Sequence, residues 1–526
     1  MAKVVKPWVK YATKGIAVLA VLGVLYFLAG VSGVLPSSDG KGGGLSLFGD
    51  SDDENIITFS SNTFIGFTPI VYLNNGLEPT EDCILFKEYG IKARILIQDN
   101  FEACRNGLIN GDTEIVYGTL DAYPVEMGEG SQMAGTKFIS ISNWSVGADA
   151  IVCNYRINTV ADLIGKTVCC SKGTASHTLL LNTLDAAGIG PEKVNDTETN
   201  YPDKINIKYC ESGIDAANIY RGGQCDAAVV YSPDDEDLIK NIKGTKLLVS
   251  TKQASNIICD GWIVKKEWLD NKDNREKLKK FLSAVLWANS EMNNNPEAVK
   301  KACKVFSDNY DYTNDLALEC IDKIRFTTLE DEKNFFGINA EYAGMTGQEL
   351  YSKMARTYAK LNLVTSPMSW TKVSDTSVLE ELIAEGTVKG DQSAEKAKTF
   401  SAPTEEMATK LEMSAKKLSI EFPTNSSALD ANAKSLIDRE FVSIAKQFAG
   451  SRVRIEGNTD GTGTDAVNLP LSKARAQAVA DYLVKEYGFD ANRFIVIGNG
   501  SKKAKIDGVK GENHAYRTTD FELIND

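Results

Sequence analysis

Ten short apolar runs between residues 56 and 265 constrain this chain more than any other feature: NIITFSS, KARILIQ, TEIVYG, FISISN, AIVCN, KTVCC, INIKYC, DAAVVYS, TKLLVS and GWIVK. Runs this short, bounded by polar and glycine-containing stretches and separated by amphipathic helical segments, are the pattern of buried strands in an α/β domain. The expectation is mostly parallel sheets covered by helices, with any ligand at the carboxyl ends of the strands. At 526 residues the chain exceeds one hydrophobic core, and about 150 residues per domain suggests three units.

The loops that succeed these runs hold the candidate ligand residues: Asn62, Thr63 and Phe64, then Asp121 and Tyr123, Ser145 and Asp149, Tyr231 and Ser232, and Asp260 with Trp262. Aromatic walls with a few polar groups suit a small-ligand cleft. Within KTVCCSKGTASHTLLL, Gly173, Thr174, Ala175 and Ser176 fall where a strand turns into a helix. Free amide groups at a helix start suit a carboxylate, sulfonate or phosphate, so an anionic solute is one reading. The other is that Thr174 or Ser176 caps its own helix. His177, in the first helical turn, is either a ligand contact or a surface residue. No G-x-S-x-G, H-E-x-x-H or P-loop pattern occurs, so the expectation is no catalytic residue, no metal and no cofactor.

All ten cysteines lie between Cys83 and Cys320, and the chain has only two histidines. The spacings contain no CxxC, which leaves buried thiols and a few disulfides both open. A net charge of −13 argues against a nucleic-acid surface. At the amino terminus Lys3, Lys6, Lys10 and Lys14 precede an uncharged apolar run from Gly15 to Leu35, long enough to cross a bilayer. The lysines place the preceding tail in the cytoplasm and the rest outside. A cleaved signal is the competing reading, and continuation of the run past Ala29-Gly30-Val31 favours the uncleaved anchor. The run holds no carboxylate for an ion-driven stator.

After a polar stretch containing Pro403, the pattern restarts as a compact β-α-β-α-β unit. LSIEF, RVRIEGN and NRFIVIG read as its strands. In the second helix Ala476, Val479, Ala480 and Leu483 recur at three- and four-residue spacing and form a core-facing stripe.

These residues carry two resemblances. Gly457-Asn458-Thr459-Asp460, then Asn468, Leu471-Ser472 and Arg475-Ala476, resemble the G-H-T-D…N-x-x-L-S-x-x-R-A pattern of the OmpA C-terminal family, shared with peptidoglycan-associated lipoproteins and flagellar stators. The resemblance implies binding of the diaminopimelate stem peptide by Thr459, Asp460, Asn468, Leu471, Arg475 and Arg517, with Asp460 on the ammonium and Arg475 on a carboxylate. A simple Asp460–Arg475 salt bridge is the structural alternative. The family's histidine is Asn458 here, and its closing N-R-R-V reads Tyr516-Arg517-Thr518-Thr519. The order of features from about Asn55 to Gly386 resembles the type II periplasmic substrate-binding proteins that take up alkylsulfonate, nitrate, taurine and thiamine precursors. That resemblance implies a two-lobed domain with a cleft at Thr63, Phe64, Asp121, Ser145, Thr174, Ser176, Tyr231 and Asp260.

The expected organisation is a tail and anchor over residues 1–35, a linker over 36–55, a binding-protein-like domain over 56–386, a linker over 387–405 and an OmpA-like domain over 406–526. The expected setting is the inner membrane, single pass, with the bulk in the periplasm. Expected partners are peptidoglycan, the membrane, and a small ligand or an envelope protein. A solute receptor for an importer and a stator-like accessory component remain as alternatives.

Overall fold

A computed structural model describes residues 55–423 and 425–525. The expected anchor, at residues 15–35, lies outside them. Among the described residues no helix is long and apolar enough to cross a membrane.

The chain starts as parallel β1 (Ile56–Ser61), β2 (Lys92–Ile97) and β3 (Ile115–Thr119), then turns into β4 (Thr136–Ser145). It crosses in a few residues to a second sheet made of β5 (Asp149–Asn154), β6 (Thr167–Ser171), β7 (Val194–Asn195), β8 (Ile205–Cys210), β9 (Ala227–Tyr231) and β10 (Thr245–Ser250). A second crossover returns it as β11 (Cys259–Lys265), with β12 (Ile324–Phe326) closing the edge. The first sheet runs β12-β4-β11-β3-β1-β2 and the second β10-β5-β9-β6-β8-β7. Two lobes joined by two crossovers result, as expected.

The expectation of mostly parallel sheets is corrected. In the first sheet β11 is antiparallel to both β3 and β4, and β4 to β12; in the second, β5 is antiparallel to β9 and β10. A strand that re-enters a sheet from the other lobe arrives without the helical crossover that parallel neighbours require. The apolar interior of the first lobe is aromatic: Phe59 meets Trp262 edge to face at 4.9 Å, and Phe67 and Phe281 surround the pair. Trp262 is therefore a core residue and not a cleft wall.

Three helices bear on the cavity and on the C-terminal unit. In α1 (Ala175–Ala186), Leu179, Leu180 and Leu184 are fully buried against the second sheet. The others are α2 (Gly213–Arg221), capped by the Ser212 side chain, and α3 (Gly347–Lys360), which opens with a Thr346–Glu349 capping box.

The C-terminal unit has four strands, β13 (Ser414–Leu418), β14 (Arg452–Asn458), β15 (Phe494–Gly500) and β16 (Thr519–Ile524), in the order β13-β16-β14-β15. One more strand is present than expected, and the first sits on SAKKL, with only its last residue in the anticipated LSIEF. That strand pairs antiparallel with β16, whose inward Phe521 and Leu523 supply the apolar partner surface that SAKKL lacks. The helix α4 (Asp465–Tyr487) buries Ala476, Val479, Ala480 and Leu483. Its approach to the sheet needs glycine: a Cβ on Gly457 would stand 2.1 Å from the Ser472 carbonyl oxygen, and one on Gly498 would stand 2.5 Å from the Lys473 amide.

This unit is packed against the second lobe. One apolar cluster takes in Leu180 and Leu184 of α1 together with Met413, Leu418, Ile444 and Phe448. Backbone bonds join the two bodies: Val160 N–H donates to Met413 O at 3.0 Å, and Asn256 N–H to Gln447 O at 3.1 Å. Asp185 of α1 accepts ion pairs from Lys353 of α3 at 2.9 Å and from Lys416 of β13 at 3.0 Å, while Lys446 meets Glu349 at 2.7 Å.

Candidate functional site

The cavity between the lobes has a volume of about 190 Å³, below the roughly 300–1,000 Å³ of drug-sized ligand sites, so it suits a ligand of few heavy atoms. Thr63, Phe64, Thr174, Ser176, Tyr231 and Asp260 line it. Asn62 and Asp149 join them.

Asp121 and Ser145 do not. Asp121 is fully buried behind the wall, where its carboxylate accepts from the Cys259 amide at 3.4 Å. Two residues beyond the end of β3, the chain has already turned inward there. Ser145 shares a 2.7 Å hydrogen bond with Thr251 Oγ and ties the two crossovers together. Tyr123 hydrogen-bonds Thr136 inside the first lobe, and Ser232 bonds Asp235. His177 is buried beneath the cavity floor, with Nδ1 accepting from the Gly173 amide and Nε2 facing Tyr209 Oη, both at 3.3 Å. Burial, followed by nearby Lys172, depresses its pKa to about 4, so it is neutral and structural.

At the start of α1, Thr174 occupies the cap position but its hydroxyl donates backward to Ser171 O at 3.0 Å and caps nothing. Ala175 and Ser176 therefore bring an uncapped helix start to the cavity.

Sequence reasoning missed the loops after β2 and β8. Asp99, two residues past β2, lines the cavity and accepts from both the amide and the hydroxyl of Thr63 at 2.9 Å. Phe101 and Tyr117 add aromatic faces, and Glu211 to Gly213 come directly after β8. The same strand-end rule that selected the other loops would have found both.

Four carboxylates thus line the cavity, Asp99, Asp149, Glu211 and Asp260, and no lysine, arginine or histidine does. Asp149 and Asp260 are each 5% exposed, and neither has an ion-pair partner among the described residues. Burial first, and then the neighbouring Asp235, pushes Asp149 up to about 7. Asp260 is raised well above the carboxylate range by burial and then by Asp149 and Asp121, and burial likewise lifts Asp121 to about 7. All ten cysteines are free, eight of them buried.

In the C-terminal unit Asp460 ends the β14 loop, 4% exposed. It accepts from the Thr462 amide at 3.1 Å, the Asn513 amide at 3.2 Å and Arg517 Nε at 2.8 Å. Burial alone would raise its pKa, but these donors outweigh burial and hold it below the ordinary range. Asp460 is paired with Arg517 and not with Arg475, so the structural alternative of an Asp460–Arg475 salt bridge does not form. Arg475, 9% exposed, lies 4.9 Å over the Phe422 ring and donates from Nε to Ser426 O at 3.1 Å. Its guanidinium meets no carboxylate among the described residues. Asn468 Nδ2 donates to Thr462 O at 2.8 Å, which closes the loop over the start of α4, with Leu471 half-buried one turn on. Thr459 N–H donates to Gly500 O at 2.8 Å. Asn458, in place of the family's histidine, bridges Thr518 and Asn499.

These features define two units, a two-lobed α/β body with a cavity between its lobes and a four-stranded α/β body. The comparisons give the families: residues 421–518 match the OmpA family and residues 86–299 the NMT1/THI5-like family, so the chain carries a domain of each. Outer membrane porin F of Pseudomonas aeruginosa is 35% identical over 98 residues, 19% of this chain and 28% of that protein. The peptidoglycan-associated lipoprotein of Rhizobium meliloti is 38% identical over 82 residues, 16% of this chain and 46% of that one. The chain therefore spans less than half of the length of either relative. Among solved structures, the periplasmic aliphatic sulphonate binding protein SsuA from Escherichia coli aligns over 62% of this chain and 99% of its own, at 16% identity and a TM-score of 0.47. A desulfurization enzyme aligns over 63% and 99%, at 12% identity and a TM-score of 0.42.

Proposed function

We propose that this is an envelope protein anchored in the inner membrane by residues 15–35, with its bulk in the periplasm, that grips peptidoglycan through its C-terminal domain and binds a small solute between its two lobes. The observation that carries the wall-binding part is the uncommitted Arg475. A guanidinium that is nearly buried, stacked on Phe422 and without a carboxylate partner is set to receive one, and the stem peptide of peptidoglycan offers it. Asp460 and Arg517 hold the loop beside it, and Asp460 Oδ1, which accepts only the Thr462 amide, retains acceptor capacity for an ammonium. Thr459, Asn468 and Leu471 shape the rest of the pocket. Names of relatives such as the peptidoglycan-associated lipoprotein support the same reading.

The test is co-sedimentation of the detergent-solubilised whole chain with purified diaminopimelate-containing sacculi. The whole chain is required because the C-terminal domain shares its apolar cluster with the second lobe. Wild type should sediment, and Arg475→Ala and Asp460→Ala should remain in the supernatant while folded. Equal sedimentation of Arg475→Ala and wild type would reject the pocket. Carbonate washing of membranes tests the anchor: release of the chain would point instead to a free solute receptor.

A further inference from the structure

We propose that the solute held between the lobes is an organic cation, an amine or quaternary ammonium seated on Asp149 and Asp260 against the aromatic walls. This rests on the solute-binding reading above and concerns only the charge class of the ligand.

The ionisable groups around the cavity are of one sign. Asp149 begins β5 at one crossover and Asp260 is the second residue of β11 at the other, so the two carboxylates reach the cavity beside the two connections between the lobes. Each is nineteen-twentieths buried and unpaired with any cation among the described residues. Carboxylates so placed are strongly unfavourable in ionised form unless a positive charge joins them. The protein itself supplies none at the wall. Lys172, in the turn before α1, lies 4.8 Å over the Tyr209 ring and does not line the cavity.

The aromatic lining points the same way independently. Phe64, Phe101, Tyr117 and Tyr231 line the cavity; the Arg105 guanidinium lies 5.8 Å from the Phe101 ring and 5.7 Å from the Tyr117 ring, which leaves Phe64 and Tyr231 as the rings without a cation, and a ring face attracts an ammonium group by roughly 0.5–2 kcal/mol. A metal ion is the less suitable cation, because among the described residues no three His, Cys, Asp or Glu side chains converge to hold one.

An anion fits poorly by magnitude. Its favourable partners are the uncapped start of α1 and the Ser212-capped start of α2, each equivalent to at most about half a positive charge. Against these stand four lining carboxylates, and ionisation of two would exceed them. The sulfonate-type solute suggested by the helix start alone is therefore disfavoured once the whole wall is counted.

Calorimetric titration of the whole chain at pH 8 tests this, with choline, ethanolamine and putrescine as cationic probes and ethanesulfonate and acetate as anionic ones. The expected result is saturable binding of a cation and of no anion. Asp149→Asn and Asp260→Asn, both isosteric, should each weaken that binding by about tenfold or more. Phe64→Leu, at a partly exposed ring of the same wall, should weaken choline by about threefold. Near-UV circular dichroism verifies folding of each variant. Binding of an anion and no cation would overturn the assigned charge and leave the solute reading intact. Cation binding unchanged in both Asp variants would overturn the site. A chain that binds no probe of either sign would count against the solute reading itself, whereas wall binding would be unaffected in every case.

Discussion

Replacing Asp149 by asparagine should make the unliganded protein more stable at alkaline pH. A carboxylic acid whose pKa rises from its ordinary 3.8 to about 7 on folding binds more protons folded than unfolded between those values, so stability falls as pH rises through that window. The full rise corresponds to about 4 kcal/mol, of which about 2 kcal/mol falls between pH 5 and pH 7 and nearly 3 kcal/mol between pH 5 and pH 8. Asparagine keeps the shape and removes the titration. The expected result is a loss of stability from pH 5 to pH 8 that is about 3 kcal/mol smaller in Asp149→Asn than in wild type. Removing the charge also relieves Asp121 and Asp260, both of which are raised partly by Asp149, so the difference should not be smaller. The assay is urea unfolding followed by tryptophan fluorescence at both pH values, without ligand, with the lobe transition fitted separately from any other. Identical pH slopes in the two proteins would refute the reasoning, because they would mean that Asp149 is as solvated as in the unfolded chain.

Acid should release the wall-binding loop late: the folded Asp460 is held below its ordinary 3.8, so its tie to Arg517 persists as pH falls to that value and gives way beneath it, which sedimentation with sacculi from pH 6 to pH 3 would track. Gly457→Ala should destabilise the C-terminal unit by about 3 kcal/mol or more, since its Cβ meets backbone and not a movable side chain, and thermal unfolding would measure this. Asp185→Ala should loosen the C-terminal unit from the lobes by leaving the lysine pair Lys353 and Lys416 without their shared carboxylate; hydrogen exchange in β13 should quicken.

Much of this architecture is legible in the residues. All ten apolar runs became strands, because buried strands of an α/β sheet carry their signal as local composition. β7 and β12 escaped it: they are two and three residues long, and pairing at a sheet edge, not hydrophobicity, makes them strands. The strand SAKKL is illegible for the same reason, as its partner β16 lies at the other end of the domain. In the site, Thr63, Phe64, Thr174 and Ser176 follow strand ends and Tyr231 closes β9, whereas Asp260 reaches the cavity from the start of β11. Asp121 and Ser145 satisfied the same rule but point inward, and side-chain direction beyond a strand end depends on turn geometry that sequence spacing does not encode. That Asp460 pairs with Arg517 was likewise invisible, because the two residues are far apart in the chain and only the closed sheet brings them together.

The two ends of α1 do different things. Its first residues border the solute cavity, and its penultimate residue, Asp185, is gripped by Lys353 from one lobe and Lys416 from the wall-binding unit. Twelve helical residues make a rod of about 18 Å, stiff along its axis. The helix therefore borders the cavity at one end and is tied to the C-terminal unit at the other. The solute proposed for that cavity and the wall proposed for that unit would bear on one and the same helix.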